Sequence, residues 1–414
     1  MSSTDSIVII GGGQCGARAA HALRENGWDG AITLVGSEKP LPYERPPLSK
    51  AVLLGQRLAD QCTIYDKSFY RNHGIDIRVD TAVTAIDSKH NRVVLSSQTT
   101  LGYRRLLIAT GAEARGFDPL GRLDGVHVLR EVADSHSIAE ELRPGRRIVV
   151  IGAGFIGLEV AAAAVAKGCE VVVLEAAPRA LTRAVPDVVA GCLVEKHRQM
   201  GVDFRFSARI ARLTGDTRVN GVLFADGTAI PCDAVVVGIG VTPRVALAQA
   251  AGLTIDNGIA VDATLRTSDP AIYAAGDVCS FLHPLYEQRI RLECWKNAED
   301  QARTAARNML GFEETCSAVP WFWSDQYETS IQIAGLPALG TSTVIREAGS
   351  TSRVFFALDG SGVLVGASGV GKTSEIAKDV RMAQDLIARR ARIDPAQLGD
   401  QRVKLRSLLL AEAQ

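Results

Sequence analysis

The sequence has no excess of charge of either sign, since its 414 residues include 46 Lys and Arg against 46 Asp and Glu. A protein that binds nucleic acid normally carries a marked basic excess, so this class is disfavoured. No apolar run approaches the ~18 residues that a membrane span requires. The N-terminal stretch MSSTDSIVIIGGG lacks the positive region and the long apolar run of a secretory signal. We therefore expect a cytoplasmic protein without nucleic-acid or membrane partners.

Closely spaced cysteines are also absent. None of the eight cysteines forms a CxxC or CxxxxC pair, and the seven histidines show no HxxxH spacing. A zinc site and a redox-active dithiol both require such spacing, so the sequence predicts no metal and no cysteine redox pair. We expect reduced, mostly buried thiols, as is usual in a cytoplasmic protein.

The strongest positive signal is an internal repeat. Residues 7–16 read IVIIGGGQCG, and residues 148–157 read IVVIGAGFIG. An alanine-rich, helix-like stretch follows each segment, at 17–27 and 158–168, and a second apolar run comes next. Strand, glycine turn, helix and strand in this order predict two units of parallel sheet with right-handed crossovers. The apolar fraction of 47% is sufficient for two or three globular domains.

Both repeats carry the GxGxxG spacing that is typical of dinucleotide-binding turns. The first glycine allows a tight turn, the second lets a pyrophosphate approach the backbone, and the third lets the helix lie close to its strand. The amides and the positive dipole end of the helix then face the phosphates. The glycines are Gly11, Gly13 and Gly16 in the first unit and Gly152, Gly154 and Gly157 in the second. Two glycine turns without a nucleotide are the alternative interpretation.

An acidic residue after the second strand of such a unit accepts a hydrogen bond from the adenosine ribose. Glu175 stands at this position in the second unit, 18 residues after Gly157, and it favours NADH over NADPH. Gly36 occupies the equivalent position in the first unit, so Glu38 or Ser37 is the candidate for the ribose contact there.

The repeats also predict the domain organisation. The apolar runs LLIATGA and AIYAAGDV lie on either side of the second repeat, which indicates that one domain is inserted into the other. After residue 318, short alternating runs and a helix-like stretch at 374–390 predict a third, α+β domain. The predicted domains are a first dinucleotide-binding one at 1–111 and 241–318, a second at 112–240, and a C-terminal one at 319–414.

Residues 366–373 read GASGVGKT and match the GxxxxGK[ST] spacing of loops that hold nucleotide phosphates. Only 41 residues follow, which is too few for the further strand–helix units and the magnesium-binding aspartate of an ATP or GTP hydrolase. We therefore expect a strand-to-helix turn of the C-terminal domain at this place.

Six segments together carry a family resemblance: IVIIGGGQCG, LPYERPPLSK, LLIATGA, IVVIGAGFIGLEVA, YAAGDV and PWFWSDQY. With these segments the whole chain resembles the FAD-dependent ferredoxin reductases of bacterial oxygenase systems, of the putidaredoxin-reductase and biphenyl-dioxygenase-reductase type. The resemblance implies an α/β fold of glutathione-reductase-like architecture. Two Rossmann-like dinucleotide-binding domains, one inserted in the other, would bind FAD first and NADH second, and a C-terminal α+β domain would follow.

The resemblance implies cofactor contacts residue by residue. Arg45 and Lys50 would lie over the flavin, Asp277 would bind the ribityl chain, and Trp295 would meet the ring. The full FAD set is Gly11, Gly13, Cys15, Gly16, Ser37, Glu38, Arg45, Lys50, Val83, Ala109, Arg130, Asp277 and Trp295. The NADH set is Gly152, Gly154, Phe155, Ile156, Gly157, Glu159, Glu175, Arg183 and Gly238. Arg179 and Arg183 near Glu175 leave tolerance of NADPH open.

Lys50 and Glu159 are the candidate catalytic pair. A cation near the flavin favours its anionic reduced form, and a carboxylate can fix that cation and contact the carboxamide of NADH. The alternative is that both are surface residues of a loop and a helix. Cys15 also has two interpretations, a thiol whose pKa is lowered at a helix N-terminus or a packed, inert side chain, and we favour the second.

The electrons then pass to an acceptor. No cysteine lies in residues 41–55, where relatives with disulfide or single-thiol chemistry carry theirs, so that branch is disfavoured. The resemblance implies hydride transfer from NADH to N5 of FAD and single-electron transfer to a [2Fe–2S] ferredoxin that supplies a Rieske dioxygenase or a haem monooxygenase. Arg303 and Trp323 are the implied partner contacts. The alternatives are an NADH oxidase or quinone-type reductase, or an apoptosis-inducing-factor-like redox sensor, and monomer and homodimer both stay open.

Overall fold

A computed structural model describes residues 5–117 and 123–411. Within these ranges the chain forms two compact units. It crosses from one unit to the other five times, and two of the crossings lie in the short strands Ala112–Ala114 and Val241–Pro243. The first unit holds residues 5–45, 58–113 and 242–318, and the second holds the described parts of 46–57, 114–241 and 319–411.

A five-stranded parallel sheet forms the core of the first unit. The register places Ile10 opposite both Val35 and Ile108, so these strands end at one edge of the sheet, where Gly11 follows. The strands in spatial order are Ile272–Ala274, Arg105–Ile108, Ser6–Ile10, Ala31–Val35 and Ile75–Arg78. The helices of this unit are Gln14–Glu25, Lys67–Asn72, Ala246–Ala250 and Trp295–Met309, and the first and last of them pack together.

Two small sheets complete the first unit. One is antiparallel and contains Val83–Asp87, Arg92–Leu95 and Thr100–Gly102. The other is mixed and contains Ile259–Val261, Cys279–His283 and Gln288–Ile290.

The second unit repeats the parallel architecture. Its strands in spatial order are Asp203–Arg205, Glu170–Leu174, Arg147–Ile151, Ala234–Val237 and Val126–Val128. A three-stranded antiparallel sheet contains Ile210–Thr214, Gly221–Phe224 and Ala229–Pro231. The helices are Val132–Glu141, Phe155–Ala166 and Asp187–Gln199. The two parallel sheets confirm the predicted pair of Rossmann-like folds.

The C-terminal part of the second unit is an antiparallel sheet covered by a helix, which confirms the predicted α+β character. Its strands in spatial order are Trp321–Gln326, Thr329–Gly335, Leu364–Gly371, Arg353–Leu358 and Ser342–Glu347. The helices are Thr373–Ala388, Pro395–Gly399 and Leu405–Ala411. No helix in the described ranges is long and apolar enough to cross a membrane.

The helices of the two repeats begin three residues before the predicted positions, at Gln14 and Phe155. The reason lies in the second glycine of each motif. Gly13 and Gly154 are extended N-cap residues, so the helix starts immediately after them and includes the third glycine.

The GASGVGKT segment lies mostly within the strand Leu364–Gly371, between two antiparallel neighbours. Its glycines are explained by packing. A Cβ on Gly366 would lie 2.4 Å from the backbone nitrogen of Pro337, and one on Gly369 would lie 2.8 Å from Val380. The helix begins after Lys372, so the expected strand-to-helix turn is found without a phosphate loop.

A buried arginine ties the end of the chain to this sheet. Arg346 is 6% exposed, and its Nε lies 3.0 Å from Oδ2 of Asp379. The guanidinium also donates to the backbone carbonyls of Leu398, Asp400, Gln401 and Val403. Arginine suits this place because its planar fork presents five donors at fixed angles.

We predict that Arg346→Ala lowers the free energy of unfolding by about 3–5 kcal/mol, because Asp379 and four carbonyls lose their donor. Urea denaturation followed by tryptophan fluorescence measures the change. Arg381→Ala is the matched control, since Arg381 is 68% exposed and lies 3.7 Å from Asp385. Its cost should stay below about 0.5 kcal/mol, and an equal loss in both variants would contradict the assignment.

Candidate functional site

The first glycine turn closes against the neighbouring strand end. Gly11 has φ +120°, and a Cβ there would lie 2.1 Å from the carbonyl oxygen of Ala109. A Cβ on Gly16 would lie 2.0 Å from the carbonyl oxygen of Gly11. Close contacts within the chain therefore require glycine at these two positions.

Gly13 differs from its neighbours. Its backbone (φ −101°, ψ −167°) is accessible to any residue, and a Cβ there would have no neighbour within 4 Å among the described residues beyond its own turn. No side chain among the described residues caps the helix Gln14–Glu25, and its first turn has no acidic residue. Open space in front of uncapped amides is what a bound anion requires. These residues therefore fit the pyrophosphate of a dinucleotide.

Three predicted FAD residues lie around this turn. Cys15 is buried against Gly276, whose Cβ would lie 3.2 Å from that of Cys15. Burial, with a smaller contribution from the nearby charge of Asp277, raises the pKa of the Cys15 thiol well above its ordinary value. This favours the packed, inert cysteine. Trp295 begins the helix that packs against Gln14–Glu25.

Glu38 and Arg45 are brought together at the end of the second strand. Nη2 of Arg45 lies 2.6 Å from Oε1 of Glu38. Tyr43 donates to Oε2 of Glu38 at 2.5 Å and accepts from Arg45 at 3.1 Å. Tyr43 was missed by the sequence analysis, although it stands in the same LPYERPPLSK segment. Ser37 is exposed beside this cluster.

The loop before Val83 is hydrogen-bonded to the chain just after the second strand, Ala31–Val35. The amide of Thr81 donates to the carbonyl of Gly36 at 2.9 Å, which places the start of the strand Val83–Asp87 near the predicted ribose end. Arg130 lies in the second unit, where its amide donates to Oδ2 of Asp134 at 2.8 Å.

The second glycine turn repeats the geometry of the first. Gly152 has φ +105°, and a Cβ there would lie 2.4 Å from the carbonyl oxygen of Gly238. A Cβ on Gly157 would lie 2.1 Å from the carbonyl oxygen of Gly152. At Gly154 (φ −79°, ψ 176°) the nearest atom would be Gly238 O at 3.8 Å. A second dinucleotide therefore fits in front of the helix Phe155–Ala166.

Glu175 lies beside this turn. Its Oε2 accepts from the amide of Ala153 at 2.8 Å, and its Oε1 accepts from the amide of Ala177 at 2.8 Å. The carboxylate is thereby fixed at the end of its strand, where it can meet a ribose hydroxyl.

The two nearby arginines differ in their contacts. Arg179 is 2.5 Å from Asp187 and donates to the carbonyls of Ala180, Thr182 and Val185. These bonds hold its guanidinium against its own loop. Arg183 is exposed, and its guanidinium lies 3.3 Å from the position of a Cβ on Gly240.

An apolar surface continues from the second glycine turn. Phe155 packs on Phe322 with ring centroids 4.5 Å apart, and Ile156 is 44% exposed. The sequence analysis assigned no role to Phe322. Its contact with Phe155 shows that the strand Trp321–Gln326 borders the first turn of this helix.

Lys50 and Glu159 form an ion pair, with Nζ of Lys50 2.7 Å from Oε2 of Glu159. The carboxylate side chain is only 3% exposed, so the alternative of two surface residues is wrong. Ser49 also donates to Oε2, and Ser324 donates to Oε1 at 2.5 Å. These two serines were not predicted. The side-chain alternation of PWFWSDQY, which puts Ser324 on the same face as Phe322, is the signal that could have pointed to the second of them.

The predicted partner residues lie in different units. Arg303, in the first unit, has a side chain that is 62% exposed and lies 3.1 Å from Glu299. Trp323, in the second unit, stacks on Trp321 with ring centroids 5.3 Å apart. Both indoles lie on the face of the strand opposite to Phe322, as the alternation predicts.

Comparison with known proteins gives the family. Residues 5–302 match pyridine nucleotide-disulphide oxidoreductase, and residues 321–409 match reductase C-terminal. The ferredoxin–NAD(+) reductase component of an anthranilate 1,2-dioxygenase system from Burkholderia cepacia is 41% identical over 98% of this chain and 100% of its own length. Rhodocoxin reductase of Rhodococcus erythropolis is 41% identical over 95% of this chain and 92% of its own.

A solved structure agrees with this assignment. The crystal structure of a covalent putidaredoxin reductase–putidaredoxin complex matches with a TM-score of 0.94 and 35% identity, and the match covers 100% of both chains. The resemblance inferred from the motifs is confirmed, and family membership implies FAD and NADH as cofactors. The chain therefore belongs to the pyridine nucleotide-disulphide oxidoreductase family, with close relatives among the ferredoxin–NAD⁺ reductases of oxygenase systems.

Proposed function

We propose that this protein is an NADH-dependent ferredoxin reductase that supplies electrons to an oxygenase. One observation carries the proposal: the chain has two glycine turns with open space at the second glycine, Gly13 and Gly154, so it fits two dinucleotides. Full-length relatives named as ferredoxin reductases support the identity of the acceptor. A protein that bound one nucleotide would need only one such opening.

The residues around Gly13 would hold FAD, and those around Gly154 would hold NADH. On the FAD side the candidates are Gly11, Gly13, Cys15, Gly16, Ser37, Glu38, Arg45, Lys50, Val83, Ala109, Arg130, Asp277 and Trp295. On the NADH side they are Gly152, Gly154, Phe155, Ile156, Gly157, Glu159, Glu175, Arg183 and Gly238. Bound FAD supplies the capacity to take a hydride from NADH and to release its two electrons singly.

Lys50 and Glu159 act as the local electrostatic pair. The carboxylate of Glu159 holds the ammonium of Lys50 in one position, because Nζ lies 2.7 Å from Oε2 and the pair is largely removed from water. Lys50 then presents a fixed positive charge toward electron-rich groups of the cofactors, while Glu159 orients it.

A [2Fe–2S] ferredoxin is the proposed partner, and Arg303 and Trp323 are its proposed contacts. An exposed arginine suits an acidic partner, since opposite charges accelerate diffusional encounter. The ferredoxin would serve a Rieske dioxygenase or a haem monooxygenase. We place the protein in the cytoplasm, where cysteines without close spacing in the sequence are usually reduced thiols.

The same proposal includes the division into an FAD domain at 1–111 and 241–318, an NADH domain at 112–240 and a C-terminal domain at 319–414. The parallel sheet in each of the first two segments and the antiparallel sheet in the third support it.

The direct test is NADH-driven reduction of cytochrome c by the purified flavoprotein, with and without an added [2Fe–2S] ferredoxin. We expect the ferredoxin to accelerate cytochrome c reduction about tenfold or more, because the ferredoxin is the proposed acceptor of single electrons and passes them on to the haem protein. Equal rates in the two assays, or oxygen consumption alone, would contradict the proposal and favour an oxidase.

We predict that Glu175→Ala lowers the ratio of kcat/KM for NADH to that for NADPH by about tenfold, because the ribose loses its acceptor. Steady-state kinetics with both nucleotides measure the ratio. Glu170→Ala is the control, since Glu170 begins the same strand and pairs with Arg147 at the surface. An unchanged ratio in Glu175→Ala would count against the ribose contact.

We predict that Gly154→Val raises the Kd for NADH at least tenfold while the FAD content and melting temperature stay near those of the unchanged protein. The new side chain would enter open space in front of the turn, and its backbone conformation is accessible to valine. Gly13→Val should give the reverse pattern, with loss of FAD. If both variants lost the same nucleotide, the assignment of the two turns would be wrong.

A further inference from the structure

A chain of buried polar side chains leads away from Glu159 within the second unit. Ser324 donates to Oε1 of Glu159 at 2.5 Å, and Nε2 of Gln326 donates to Oγ of Ser324 at 3.0 Å. Oε1 of Gln326 lies 2.8 Å from Nε2 of His197, and Nδ1 of His197 lies 3.0 Å from the hydroxyl of Tyr327. Ser324, Gln326 and His197 are each at most 2% exposed.

The chemistry of these groups fixes the direction of every hydrogen bond. An amide oxygen only accepts, so Nε2 of His197 must carry a hydrogen and donate to Gln326. Burial lowers the pKa of His197, against a smaller opposite effect of its bond to Gln326, so the ring is neutral and its Nδ1 accepts from Tyr327. All four bonds therefore run from Tyr327 toward the carboxylate.

Glu159 receives donors at both oxygens. Ser324 donates to Oε1, and Ser49 and Lys50 donate to Oε2. A carboxyl group that meets three donors has no acceptor for a proton of its own, which is the arrangement of an ionised carboxylate. Because bonds that run in one direction polarise each other, Gln326 and His197 strengthen the bond from Ser324.

We infer that Ser324 and Gln326 are positioning residues for hydride transfer from NADH. They fix the Glu159 carboxylate, and through it the Lys50 ammonium, at the nicotinamide side of the site. This inference rests on the proposed function. The strand Trp321–Gln326 thus contributes to the nucleotide site through the face that carries Phe322, Ser324 and Gln326. On this face Phe322 contacts Phe155, which lies one helical turn before Glu159.

A purely structural role for these side chains makes a different prediction. Ser368 lies in the same antiparallel sheet, is 0% exposed like Ser324, and its hydroxyl has no hydrogen-bond partner among the described residues. Removal of either hydroxyl takes the same atom from a buried serine. Only removal at position 324 takes a donor from Glu159.

The experiment compares Ser324→Ala, Ser324→Thr and Ser368→Ala in the flavin-loaded protein. Stopped-flow absorbance gives the rate constant of flavin reduction and the Kd for NADH, and calorimetry gives the Kd for NAD⁺. We expect the flavin of Ser324→Ala to be reduced by NADH about tenfold more slowly than that of the unchanged protein, which is the effect of one lost charge-assisted hydrogen bond. Both Kd values should stay within about twofold of those of the unchanged protein. Ser324→Thr should restore the rate because it returns the hydroxyl, and Ser368→Ala should match the unchanged protein.

A second measurement tests the chain itself without turnover. Nitrogen NMR of histidine-labelled protein should show His197 as the neutral tautomer with hydrogen on Nε2, and Gln326→Leu should remove this preference. A hydrogen on Nδ1 instead would overturn the direction of the chain.

The outcomes separate this inference from the proposed function. If NADH reduces the unchanged protein and Ser324→Ala is as fast as Ser368→Ala, the positioning role is overturned and the function stands. If Ser324→Thr fails to restore the rate, the hydroxyl is not the active group and the inference is overturned. If NADH does not reduce the unchanged protein, both the proposed function and the positioning role fall.

Discussion

A buried carboxylate is stable only if hydrogen-bond donors and an opposite charge surround it inside the protein. In the second unit Glu159 is such a carboxylate. Its donors come from distant parts of the chain, since Ser49 is 110 residues away in sequence and Ser324 is 165 residues away. The segment 46–57 and the C-terminal sheet therefore share one unit with the helix that carries Glu159. Lys50 neutralises the charge, and the two serines satisfy the remaining acceptor sites.

The two glycine turns share the same backbone geometry but differ in the contacts of the nearby carboxylate. Both use glycine where the backbone must turn or approach closely, and both leave the second glycine facing open space. At the end of the second strand, however, the first unit places Glu38 in a cluster with Tyr43 and Arg45, whereas in the second unit Glu175 accepts from the amide of Ala153 in the glycine turn and from that of Ala177 in its own loop. Each oxygen of Glu38 and of Glu175 accepts one of these hydrogen bonds and keeps an acceptor position for a ribose hydroxyl, but Glu38 also neutralises a guanidinium charge.

The strands and helices of both repeats could be predicted from the sequence, because apolar runs, alanine-rich stretches and glycine spacing are local signals. The pair Lys50 and Glu159 was accessible only through the resemblance, since nothing local relates a loop lysine to a helical glutamate. Gln326 and His197 could not have been found, because their hydrogen bond joins residues 129 apart in sequence. A buried polar chain depends on tertiary packing, which one sequence does not encode in any short pattern.

The GASGVGKT segment shows how glycine motifs of similar spacing can be told apart. At Gly366 and Gly369 an added Cβ would collide with Pro337 and Val380, so the protein itself explains the glycines. At Gly13 and Gly154 the backbone would accept any residue, and an added Cβ would lie at least 3.8 Å from every described residue beyond its own turn. Neither the backbone conformation nor packing within the protein requires glycine at these two positions, so a bound ligand is the reason for the missing side chain. Spacing alone predicts three phosphate sites in this sequence, whereas the surroundings of the glycines support two.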